Sequence, residues 1–93
     1  MLGVNGKVVE ATMTIQNRCG IHAPLATKFA EIASTFKSKI QLKAKGKTVD
    51  AKHMILIMTL VVCKGTEITI VAEGQDAEHA VAALLEFLST VEH

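Results

Sequence analysis

His22 stands two residues before the chain's one proline, in Cys19-Gly20-Ile21-His22-Ala23-Pro24. Proline is favoured at the first helical position, where its missing N–H costs no ladder bond. The imidazole therefore sits just ahead of a helix. Free N–H groups and the positive dipole end at such a place favour an anion. A neutral imidazole nitrogen is a nucleophile. If it accepts a phosphoryl group, the helix end can hold the phosphoryl oxygens. That chemistry needs neither a metal nor a triad. Read alone, a loop histidine is more often an ordinary surface residue.

The elements that must position it are legible from periodicity. Val8 to Ile15 alternates, with Val9, Ala11, Met13 and Ile15 on one face and Glu10, Thr12 and Thr14 on the other, which predicts a half-buried strand. Gln16 to Gly20 reads as a polar loop. Leu25, Phe29, Ile32 and Phe36, with Ala26, Ala30 and Ala33 beside them, form a helical stripe over about 24–36, with Pro24 at its first position. From Ser38 to Lys45, Ile40, Leu42 and Ala44 face inward. The outward Lys39, Gln41, Lys43 and Lys45 suggest a solvated face or a charge-guarded edge. A turn at Lys45-Gly46-Lys47 and a short strand over Thr48 to Ala51 complete a hairpin. His53 to Val62 suits helix and strand equally. Thr66 to Glu73 is a strand with Ile68, Ile70 and Ala72 inward. After a turn at Gly74-Gln75, Asp76 caps a last helix carrying Ala80, Val81, Leu84, Leu85, Leu88 and Val91.

This order is β-α-β-β-(α)-β-α, an α/β (α+β type) open-faced sandwich with helices on one face of a four-stranded sheet. The 93 residues form a single domain over 1–93, with residues 1–7 ahead of the first pattern. Ten Lys/Arg against nine Asp/Glu give a net charge of +1, which argues against a nucleic-acid partner. Three Phe with no Trp or Tyr argue against a base-stacking platform. The apolar run from Met54 to Cys63 is far shorter than the roughly 20 residues of a membrane span, so no membrane insertion is expected. The N-terminal residues lack a signal-peptide pattern, so the expected setting is cytoplasmic, with Cys19 and Cys63 as free thiols.

Gly20-Ile21-His22-Ala23, the alanine-rich stripe, the hairpin at Gly46, Ala51-Lys52, Met54 to Leu60, and Gly65 to Gly74 together resemble HPr, the histidine-containing phosphocarrier of the bacterial sugar phosphotransferase system. The likeness runs over about residues 8–91. It implies a four-stranded antiparallel sheet covered by three helices, with the ambiguous segment as a short helix beside the active site. It implies a carrier that takes a phosphoryl group from enzyme I on Nδ1 of His22, passes it to enzyme IIA proteins, and works as a monomer without cofactor. Ala23, Met54, Ile55 and Met58 match the docking surface. Methionine suits a surface that fits several partners.

The sequence departs from the HPr pattern at the site itself. Where the family reads His-(Ala/Thr)-Arg-Pro, this chain has His22-Ala23-Pro24-Leu25. The family's arginine contacts the phosphoryl group, through a charge-assisted bond worth about 1.5–3 kcal/mol. Pro24 removes a backbone N–H as well. Ala23, Arg18 and Lys28 are the remaining candidates for phosphoryl binding. His53 stands where many relatives carry a regulatory serine, so phosphorylation of that kind is not expected. Leu56 replaces a common glycine, and Val61-Val62 replace smaller residues; the added bulk either enlarges an exposed patch or fills the core. Cys19, His22, His53 and Cys63 lack a recognised zinc spacing, and no metal is expected. Cys19, close to a helix start, is a candidate for oxidation. His79 and His93 read as exposed.

Overall fold

Alternation along Val8–Thr14 produces the first strand, β1, whose residues are by turns exposed and half-buried. The structure, a computed structural model, describes residues 7–91; the expectations for residues 1–6 and for His93 concern positions outside the described residues. After β1 come α1 (Ala23–Ser34), β2 (Lys39–Ala44), β3 (Lys47–Asp50), α2 (Met54–Met58), β4 (Glu67–Glu73) and α3 (Ala77–Thr90). The expected order is observed. The segment that periodicity left undecided is helical, as the family resemblance implied.

All pairings in the sheet are antiparallel, in the order β1-β4-β2-β3. The central strand β4 is held from both sides: Ile70 pairs with Ala11 on one edge and Leu42 on the other. Ile40, Leu42, Ala44, Ile68, Ile70 and Ala72 point to the buried face. The opposite face stays polar, and Thr12 and Thr69 share a hydrogen bond across it at 2.9 Å. α3 lies over β1, β4 and β2, α1 packs against α2 and α3, and α2 reaches β3. Phe29 of α1 and Leu84 of α3 are the large side chains that these two helices bury completely.

Three local expectations need correction. α1 begins at Ala23, so Pro24 occupies its second position. Proline is accepted there because the N–H it lacks would have had no partner within the helix. α1 also ends two residues earlier than the stripe suggests. Thr35 closes it, and the Phe36 N–H turns back to the Ala33 carbonyl at 3.2 Å. Asp76 stands at the N-cap of α3 but makes no side-chain cap bond. Its carboxylate instead accepts from the N–H groups of Lys37 and Ser38, each at 2.9 Å, and from the Ser38 hydroxyl. The loop between α1 and β2 offered it better donors than its own helix.

Candidate functional site

The loop that carries His22 is built on a turn. Gly20 N–H donates to the Asn17 carbonyl at 3.1 Å, and the buried Asn17 amide donates to the Gly20 carbonyl at 2.7 Å. Gly20 has φ +64, and a Cβ there would stand 2.2 Å from the Val62 carbonyl oxygen. Only glycine allows that approach. Next in the chain, Ile21 donates to the same Val62 carbonyl at 3.0 Å and buries its side chain. The segment before α1 is thereby seated on the chain that follows α2.

His22 is the N-cap residue of α1, in extended conformation, and its carbonyl accepts the first helical bond from Ala26 at 2.8 Å. Ile21 and Leu25 are buried on either side of it in sequence. The imidazole is half-buried; its Nδ1 edge is turned away from solvent. The first turn of α1 holds no acidic residue, so no carboxylate within it offsets the positive end of the helix. Ala23 and Leu25 keep N–H groups outside the helical ladder, whereas Pro24 between them has none. One donor position at this helix start is therefore missing.

Beside His22 lies an open cavity of about 360 Å³, lined by His22, Pro24, Leu25 and Lys28 on one side and by Phe87, Thr90 and Val91 on the other. Of the two candidate cations, Lys28 lines this cavity and Arg18 does not; Arg18 is exposed on the turn before it. Phe87 and Thr90 were not among the sequence candidates. Phe87 lies at the edge of the apolar stripe of its helix, half-buried against the core, and its spacing from Leu84 and Val91 was the one available signal.

α2 presents the second half of the region. Ile55 is 61% exposed, Met58 38%, Leu56 38% and Val61 64%. Val62 is buried, so the bulk added at 56 and 61 enlarges the exposed patch while that at 62 fills the core. Met54 is half-buried, and its Sδ accepts from the Thr27 hydroxyl at 3.1 Å. The same hydroxyl lies 2.9 Å from the Ala23 carbonyl. Thr27 thus links α2 to the first turn of α1, next to His22. Ala23 is half-buried at that junction. His53 precedes α2 as an exposed N-cap residue, and His79 is exposed on α3.

The family model described as the PTS HPr component phosphorylation site matches residues 9–90. Among solved structures, HPr-C-His from Thermoanaerobacter tengcongensis is 38% identical, with a TM-score of 0.85 over 88% of this chain and 92% of that one. The phosphocarrier protein HPr of Bacillus anthracis is 36% identical, with a TM-score of 0.82 over 86% of this chain and 95% of its own. Crh of Bacillus subtilis, a domain-swapped dimer, is 32% identical, with a TM-score of 0.70 over 87% of this chain and 93% of that one.

Proposed function

This chain belongs to the HPr family of the phosphotransferase system, and from that membership we propose that His22 is its phosphoryl acceptor, charged by enzyme I and discharged to enzyme IIA proteins. The observation that carries the reading is the placement of His22 at the N-cap of α1, beside an open cavity and a helix end with no acidic residue in its first turn. In the loading step a bond forms between an imidazole nitrogen and phosphorus as phosphorus leaves the donor. The handing-on step reverses this. The N–H groups of Ala23 and Leu25, outside the helical ladder, are the backbone donors for the phosphoryl oxygens in this reading, and Lys28 supplies a cation at the cavity wall. Arg18 is the second cation within the region, reaching the site only by extension from its turn. Ala23, Met54, Ile55 and Met58 form the docking surface around it.

The carrier reading asks the ring to turn, because Nδ1 faces the protein. That burial, together with the missing donor at Pro24, favours a second reading: a module that docks to the same partners with little phosphoryl exchange. Incubation with phosphoenolpyruvate and the organism's own enzyme I separates the two. The carrier acquires an acid-labile, base-stable phosphoryl group that is absent in His22→Ala. The module stays unlabelled while still binding enzyme I. We further propose that the carrier acts as a monomer, in contrast to the swapped dimer of Crh.

A further inference from the structure

We propose that Cys19 and Cys63 are a reversible thiol–disulfide pair, closed within one molecule by hydrogen peroxide. Both thiols are free and exposed. They lie far apart in sequence but on two segments that meet before α1 and after α2. A Cβ built on Gly20 would stand 2.7 Å from the Cys63 Cα. One Cα–Cβ bond and one 3.8 Å chain step from that contact place the Cys19 Cα within about 8 Å of the Cys63 Cα. The distances allowed by that bound include the 4.4–6.8 Å that disulfides span. No side chain of Gly20 stands between the two segments.

Both cysteines are held in hydrogen-bonded turns. Cys19 lies inside the Asn17–Gly20 turn, and the Cys63 carbonyl accepts from the Thr66 N–H at 3.0 Å. The Cys63 N–H donates to the Thr66 hydroxyl at 3.2 Å. The turns hold the two backbones close together and leave both cysteines exposed to an oxidant. Ile21, which follows Gly20, is anchored to Val62, the residue before Cys63. A bridge would therefore join two segments already in register.

The chemistry balances with the peroxide as oxidant. A thiolate attacks one peroxide oxygen, an S–O bond forms, the O–O bond breaks and water leaves, giving a sulfenic acid. The second thiol attacks that sulfur, the S–S bond forms, the S–O bond breaks and a second water leaves. Two thiols are oxidised and one peroxide is reduced to two waters. The bridge would tie the turn three residues before His22 to the chain after α2. It forms or fails independently of any phosphotransfer.

The test treats the reduced full chain with one equivalent of hydrogen peroxide. The expected result is the loss of two free thiols, an intact mass lower by about 2 Da, unchanged monomeric migration without reductant, and a peptide linking Cys19 to Cys63. Dithiothreitol restores both thiols, and Cys19→Ser or Cys63→Ser abolishes the bridge. Stable oxygen adducts on separate cysteines, or disulfides only between molecules, would overturn the proposal. An equimolar glutathione redox buffer gives a second reading free of overoxidation; persistence of both thiols there and with peroxide counts equally against it. Loss of His22 labelling by enzyme I would leave this result untouched.

Discussion

Arginine at position 24 would supply the two things the helix start lacks, a backbone N–H between those of Ala23 and Leu25 and a guanidinium beside His22. Pro24 is exposed at the second position of α1, so Pro24→Arg should change stability by no more than about 1 kcal/mol. Labelling of His22 by enzyme I should accelerate about tenfold or more, the worth of a charge-assisted hydrogen bond. An unchanged rate would show that Lys28 already fills the role. Val61 is a different single-residue case. It has φ +50 and a branched side chain that is 64% exposed. A non-glycine residue in that region costs about 1–2 kcal/mol, and Val61 regains little of it through burial. Its neighbours Leu60 and Val62 are buried, and the Lys45 ammonium donates to its carbonyl at 2.6 Å. These contacts hold the backbone in place whatever the side chain. Val61→Gly should therefore raise stability by up to about 1 kcal/mol, the strain relieved less the glycine's extra chain entropy, seen as a higher midpoint of thermal unfolding.

Asp76 acts between elements. It ties the end of α1 and the start of β2 to the start of α3, through Lys37 and Ser38. The Ser38 hydroxyl first, and then the backbone N–H of Lys37, hold its carboxyl below its ordinary value of 3.8. An unfolded chain lacks these donors. The contribution is therefore complete well above the ordinary value, falls as pH drops below it, and is gone beneath the lowered folded value. Urea unfolding followed from pH 6 down to pH 2 should show this loss. Asp76→Asn should lower stability at pH 6 and flatten the acid limb. An acid limb identical to that of the parent protein would show that the carboxylate is not the titrating tie. The Thr27 hydroxyl couples α1 to α2 in the same way but carries no titratable group, so that junction contributes nothing to the acid limb.

At the scale of the molecule, the sheet and the helices on its inner face bring two patches together. One is the cavity between α1 and the end of α3 with His22 and Lys28 on its wall. The other is the apolar patch of Ile55, Leu56, Met58 and Val61. A carrier that meets its partners only by docking needs both. Ile55 is the most exposed residue of the helical part of that patch, so Ile55→Glu should leave thermal stability nearly unchanged. It should raise the KM for enzyme I about fivefold or more, with kcat close to the parent value, the pattern of a lost docking contact. A fall in kcat with KM unchanged would place Ile55 outside the docking surface.

The strands and two long helices could be read from residue order because apolar spacing of two or about 3.6 reports which face meets the core. His22 ahead of a helix was legible for the same reason: proline marks where a helix begins. The five residues of α2 were undecidable by pattern, because all are apolar and strand-favouring Ile is interleaved with helix-tolerant Met and Leu, leaving no polar position to show either period. Tertiary packing decided that α2 is a helix, that Asp76 serves the loop before β2 rather than its own cap, and that Val61 takes a positive φ. It also decided that Lys28, and not Arg18, shares a cavity with His22, and that Phe87 and Thr90 from the far end of the chain close its other wall. Local order determines what a segment can become. Which distant segments stand beside it depends on how the sheet is paired and the helices are laid across it, and no short-range spacing encodes that.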